Sequence, residues 1–163
     1  RMSSAASDVY KRQIPMWEKL KETVMYLRSK GQRVDGIGWQ GHLMNNNGLK
    51  QFVENLDQEL KKLSDLIDWA HTNKLEFHIT ELDYYNDGEN NIFNSVEKQA
   101  EVYQKLMNLL QEKSKNGLVT VNFWSMGERI SSRGKKGHYM SIYDNDTIPT
   151  KTYEVVKKFI NFD

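Results

Sequence analysis

Two pairs of polar residues, each pair spaced two apart, stand at the ends of strand-like runs. Gln40 and His42 close the run Val34–Leu43, and Glu81 and Asp83 close Phe77-His78-Ile79-Thr80-Glu81-Leu82-Asp83. Successive strand side chains point to opposite faces, so the members of each pair share one face. A buried strand leaves charges without solvation, which places Glu81 and Asp83 at its mouth. Barrel and open-sheet enzymes keep their chemistry at such strand ends. A third run, Leu118–Trp124, ends in an indole. An amide, an imidazole, two carboxylates and an indole around one cavity suit sugar recognition. The indole covers an apolar sugar face, and the amide and carboxylates bond to hydroxyls. One carboxylate attacks an anomeric carbon while its neighbours hold it ionised and oriented. Taken singly, each residue has a plainer reading: a solvated acidic strand end, a structural histidine, a core tryptophan. The set together favours chemistry.

The elements that must position this set alternate. Trp17, Leu20, Val24 and Leu27 recur at helical steps, and Gly31 stands where a helix ends. The first strand carries Gly36, Gly38 and Gly41, which leave room for close backbone or ligand approach. A second helix is expected from about Phe52 to His71, with Leu56, Leu60, Leu63, Ile67 and Ala70 as its core stripe. The second strand spans Leu75 to Leu82. A third helix is lined by Val96, Ala100, Tyr103, Leu106 and Leu110, with Asn94 and Glu97 as a capping pair and Gly117 at its close. After the third strand a long irregular segment leads to a last helix with Tyr153, Val156 and Phe159 or Ile160. Trp17, Trp39 and Trp69 read as packing residues, and His71, His78 and His138 receive no chemical role.

Strands alternating with helices imply right-handed βα units and a parallel sheet. A longer, Gly- and Asn-rich connection follows each strand and a short one precedes it, the asymmetry of a (β/α)₈ barrel. Three strands cannot close a barrel, and the full fold takes roughly 250 residues. The fold class is therefore α/β, a partial (β/α)₈ barrel within 163 residues.

A net charge of +1 implies neither a nucleic-acid surface nor an acidic partner. The absence of cysteine excludes disulfides and thiolate metal sites. No apolar run approaches the ~20 residues of a membrane span. Residues 1–13 have no hydrophobic period and read as a non-native or disordered N-terminal segment, leaving 14–163 as the domain.

Asp35-Gly36-Ile37-Gly38, with Gln40, His42 and Leu43, resembles the sixth-strand motif of glycoside hydrolase family 10, the endo-β-1,4-xylanases. Ile79-Thr80-Glu81-Leu82-Asp83 resembles the family's seventh-strand nucleophile motif, and Val119 to Trp124 its eighth strand. The three stand in the family's order, over a match from about Trp17 to the C-terminus. The resemblance implies strands 6 to 8 with helices 5 to 8 of the barrel, in a retaining enzyme that cleaves β-1,4-xylosidic bonds of xylan or xylo-oligosaccharides. It implies Glu81 as nucleophile, His42 as its hydrogen-bond partner, and Asp83 as the carboxylate that orients His42. Gln40 and Trp124 match substrate contacts. Glu128 and Arg129 fall where the family has an Asp-Lys pair and match its substrate-binding region.

No metal or organic cofactor is implied, and a polymeric substrate implies secretion. Two departures stand out. Ser132 occupies the place of a family aromatic, and the family's fourth-strand Asn-Glu motif, which carries the general acid/base, is absent from the chain. The chain alone is therefore expected to be inactive. A barrel that binds glycans without cleaving them, and a related glycosidase acting on another β-glycan, stay open as alternatives.

Overall fold

The computed structural model of the protein describes residues 13–43, 47–84, 95–124, 142–144 and 147–160. Helix α1 (Gln13–Ser29) turns Trp17 and Val24 inward. Leu27, expected on the same stripe, is 37% exposed, so the inward face ends before the last turn. Gly31 then adopts φ +75°, and a Cβ there would meet nothing within 4 Å. The glycine is therefore required by the left-handed backbone alone. Nearby, the Arg28 guanidinium donates to the carbonyls of Val34 (2.7 Å) and Asn73 (2.5 Å), tying the end of α1 to the starts of two strands.

Strand β1 (Gly36–Leu43) pairs in parallel with β2 (Glu76–Tyr84), which pairs in parallel with β3 (Val119–Phe123), giving the order β1-β2-β3. Between β1 and β2 the single helix expected over Phe52–His71 is two helices, α2 (Asn47–Glu54) and α3 (Leu56–Thr72). The break falls at Asn55, whose side-chain amide donates to the Gln51 carbonyl at 2.9 Å. The Asn55 backbone N–H donates to the same carbonyl at 3.1 Å. The stripe on α3 is buried as expected: Leu56, Leu60, Leu63, Ile67 and Ala70, with Leu66 added.

Helix α4 (Val96–Lys113) connects β2 to β3. Its cap is Ser95, whose hydroxyl accepts from the Lys98 N–H at 3.1 Å; Asn94, the expected cap, lies outside the described residues. Glu97 pairs instead with Lys151 of helix α5 (Lys151–Lys157). The inner face of α4 carries Val102, Tyr103, Leu106, Met107 and Leu110, while Val96 and Ala100 are only partly buried. Among the described residues no helix is long and apolar enough to cross a membrane.

The core lies between the helices and one face of the sheet. Ile37, Trp39 and Leu43 of β1 face it with Phe77, Ile79, Leu82 and Tyr84 of β2. Those β2 residues step by two, then three, then two. The step of three marks a bulge: Ile79 stands opposite Trp39 but Glu81 opposite Gln40, so Thr80 is an extra residue with no counterpart on β1. Against β3, Ile79 and Leu82 stand opposite Val121 and Phe123, again one residue in excess. An unbroken alternation would have continued the core face from Ile79 to Glu81 and Asp83. The bulge reverses the faces and turns both carboxylates to the other side of the sheet.

The far end of β2 is held by a buried amide. The Gln99 side chain, fully buried on α4, donates to the Tyr84 carbonyl (3.3 Å) and accepts from the Thr152 hydroxyl (2.8 Å), itself fully buried on α5. Gln99→Ala removes both bonds in a dry environment and should lower stability by about 2–3 kcal/mol. Urea denaturation of the chain checks this through a shifted midpoint at unchanged slope.

Candidate active site

The faces that the bulge rearranges meet at the carboxyl ends of the strands. His42 stands opposite Asp83 and Gln40 opposite Glu81 in the β1–β2 register. The His42 ring lies between the two carboxylates, with Nε2 2.7 Å from Glu81 Oε2 and Nδ1 3.0 Å from Asp83 Oδ1. The second Glu81 oxygen, Oε1, accepts from Gln40 Nε2 at 3.0 Å. Trp124 follows β3, its backbone N–H bonded to the Leu82 carbonyl at 2.9 Å. Its indole meets the His42 ring edge-on, with centroids 5.6 Å apart and planes at 83°. Gln40, His42, Glu81, Asp83 and Trp124 are thus brought together. Glu128, Arg129 and Ser132 lie outside the described residues.

Exposure grades across the set. The Asp83 side chain is fully buried, His42 and Glu81 keep 18% and 21% of their side-chain surface, and Trp124 is 39% exposed. The chain therefore offers Glu81 and an indole to an incoming molecule and withholds Asp83. Each His42 ring nitrogen faces a carboxylate oxygen, so only the doubly protonated ring donates at both ends. Glu81 is fixed in direction by Gln40, which donates to Oε1, and by the His42 ring set against Oε2. That combination fits a carboxylate nucleophile, which must be charged and fixed in direction.

One residue beyond Asp83, Tyr84 faces the core. Burial pushes its hydroxyl well above the ordinary tyrosine range, and the Glu101 carboxylate adds to the effect, so it stays neutral. The remaining described histidines sit elsewhere. His78 lies between Thr120 Oγ1 (2.8 Å) and Glu76 Oε2 (3.2 Å), and the buried ring nitrogens of His71 have no hydrogen-bond partner among the described residues. Among the described residues no group of three or more His, Cys, Asp or Glu side chains could hold a metal ion.

The model of glycosyl hydrolase family 10 matches residues 9–159. The chain belongs to glycosyl hydrolase family 10. Within that family it is 28% identical over 157 residues to a β-1,4-xylanase of Dictyoglomus thermophilum, a match covering 87% of this chain and 41% of the relative. Its fold is similar to the glycosylated endo-β-1,4-xylanase of Gloeophyllum trabeum, with a TM-score of 0.63, 17% identity and coverage of 87% of this chain and 41% of that one. It is also similar to the intracellular xylanase of Thermoanaerobacterium saccharolyticum, with a TM-score of 0.61, 23% identity and coverage of 86% and 39%. The chain thus spans about two-fifths of the length of these family 10 proteins. Their (β/α)₈ barrel fold accounts for the open parallel sheet, whose β1 and β3 are each paired on one side only among the described residues.

Proposed function

We propose that this chain is the C-terminal part of a retaining endo-β-1,4-xylanase-like glycoside hydrolase, in which Glu81 is the nucleophile. The observation that carries the proposal is the hold on Glu81: His42 and Gln40 grip its two oxygens at 2.7 and 3.0 Å, and buried Asp83 grips His42 from behind. In the first step a Glu81 oxygen attacks the anomeric carbon. The glycosidic bond breaks, and a proton from a general acid goes to the departing oxygen. In the second step that group, now a base, takes a proton from water, whose oxygen displaces Glu81 and restores it. Retention requires the two carboxyl groups ~5–5.5 Å apart.

The neighbouring carboxylate of Asp83 does not serve as that acid. Asp83 is fully buried and bonded to His42. The acid/base glutamate is therefore assigned to a part of the barrel outside these residues. Gln40 bonds sugar hydroxyls, Trp124 covers an apolar sugar face, and Glu128 and Arg129 remain assigned to substrate binding on the resemblance. Action outside the cell goes with the proposal, because intact xylan does not cross a membrane.

The purified 163-residue chain is expected to release no reducing sugar from xylan above a buffer blank, whereas a protein that supplies the rest of the barrel is expected to release it. Hydrolysis by the chain alone would overturn the assignment of the acid/base. A panel of xylan, mannan and β-glucan offered to that longer protein tests the substrate. Cleavage of another glycan with xylan untouched would move the reading to a related glycosidase, and binding without cleavage of any would make it a glycan-binding barrel.

A further inference from the structure

We infer that Thr80 is a positioning residue for the Glu81–His42–Asp83 unit, acting through the bulge it occupies. The inference rests on the reading of that unit as the working site. Its basis is the register: from Ile79 onward, β2 is aligned with β1 only because Thr80 is passed over. Beyond the bulge Leu82 and Tyr84 are 1% and 0% exposed in the core, and Glu81 and Asp83 reach His42. Without the extra residue the same chain would present Leu82 and Tyr84 to the site and two carboxylates to the core.

The extra residue is seated at both ends of its side chain. Its hydroxyl donates to the Trp39 carbonyl at 3.2 Å, beside the point where β1 and β2 fall out of step. Its methyl fills the place a side chain would take at Gly38, where a Cβ would lie 2.9 Å from Thr80 Cγ2. Gly38 therefore serves as the socket for Thr80, a use of glycine for close approach within a strand. Hydroxyl and methyl together select one position of the bulge. A bulge one residue earlier or later would aim Glu81 differently, although Glu81 and His42 themselves would be unchanged.

The test is nuclear magnetic resonance on the isotope-labelled 163-residue chain, comparing the native sequence with Thr80→Val, Thr80→Ser and Gly38→Ala. The readouts are hydrogen exchange of the His42 ring N–H and the carboxylate carbon shift of Glu81. The His71 ring, on α3 and away from the bulge, is the internal reference. Thr80→Val keeps the methyl and loses the donor, and should speed exchange of the His42 ring proton about fivefold, the factor expected for one ordinary hydrogen bond. It should also move the Glu81 signal. Thr80→Ser restores the donor without the methyl and should return both readouts part of the way to native values, whereas Gly38→Ala fills the socket and should reproduce the valine result.

Native His42 and Glu81 signals in the valine variant would overturn the inference. So would a His71 change as large as that of His42, which would indicate general loosening. If the valine variant fails to fold, the serine and alanine variants decide in the same way. None of these readouts needs turnover. Absence of xylan hydrolysis by a protein that supplies the rest of the barrel would count against the proposed function alone, and unmoved His42 signals against the role of Thr80 alone.

Discussion

In a complete barrel carrying these residues, Glu81→Gln should lower kcat on xylan by on the order of 10⁴-fold or more while leaving the fold intact. The nucleophile of a double displacement has no substitute, because the glycosyl-enzyme bond is made to its oxygen. The structure explains why stability should survive the change. Glu81 is held by the Gln40 amide and the His42 ring, and a glutamine oxygen can still accept from Gln40. The substitution also removes one of two carboxylates flanking a single imidazole, and like charges at one site oppose each other. A thermal midpoint close to the native one, together with lost turnover, is the expected pair of results. Lost turnover accompanied by a collapsed midpoint would indicate a structural role for Glu81 instead.

Asp83→Asn should act differently. Asp83 is fully buried and bonds to His42 Nδ1, so the variant should lower kcat by about 10²–10⁴-fold, as expected when a ring loses the carboxylate that fixes its proton arrangement, with KM little changed. It should also cost stability, since removing one member of a buried hydrogen-bonded pair leaves the other uncompensated, at about 3 kcal/mol or more. Steady-state kinetics separates the two parameters, and urea denaturation of the same preparations reports the stability. A raised KM at native kcat would place Asp83 in substrate binding and contradict the arrangement in which it stands behind His42.

Much of this site could be read in the sequence because strands have a short and rigid period. Gln40 with His42 and Glu81 with Asp83 each share a face, and the register sets one pair against the other. The bulge at Thr80 escapes a reading confined to Glu81 and Asp83, since their mutual spacing is the same with or without it. Its signal lies in the apolar residues before and after: Phe77, Ile79, Leu82 and Tyr84 keep one face only if the period is broken between Ile79 and Leu82.

Gln99 was illegible for another reason. A glutamine on a helix reads as solvated surface, and only the approach of the Tyr84 carbonyl and the Thr152 hydroxyl gives it a buried role. The helix break at Asn55 involves neither glycine nor proline, and the Asn55 side-chain amide and backbone N–H both donate to the Gln51 carbonyl. Gly31, by contrast, was plain, because a left-handed turn closing a helix admits few residues other than glycine.

The central claim is that Glu81 forms a covalent bond to the sugar. An activated xylobioside tests it directly when fluorine replaces the hydroxyl beside the anomeric carbon. The fluorine slows both steps by destabilising the oxocarbenium-like transition state, and a good leaving group keeps the first step fast without a general acid, so the glycosyl-enzyme accumulates. Peptide mapping by mass spectrometry of a complete barrel treated in this way should find the fluoro-xylobiosyl group on Glu81, with turnover of normal substrate retaining the anomeric configuration. An adduct on a different carboxylate, or products of inverted configuration, would contradict the assignment.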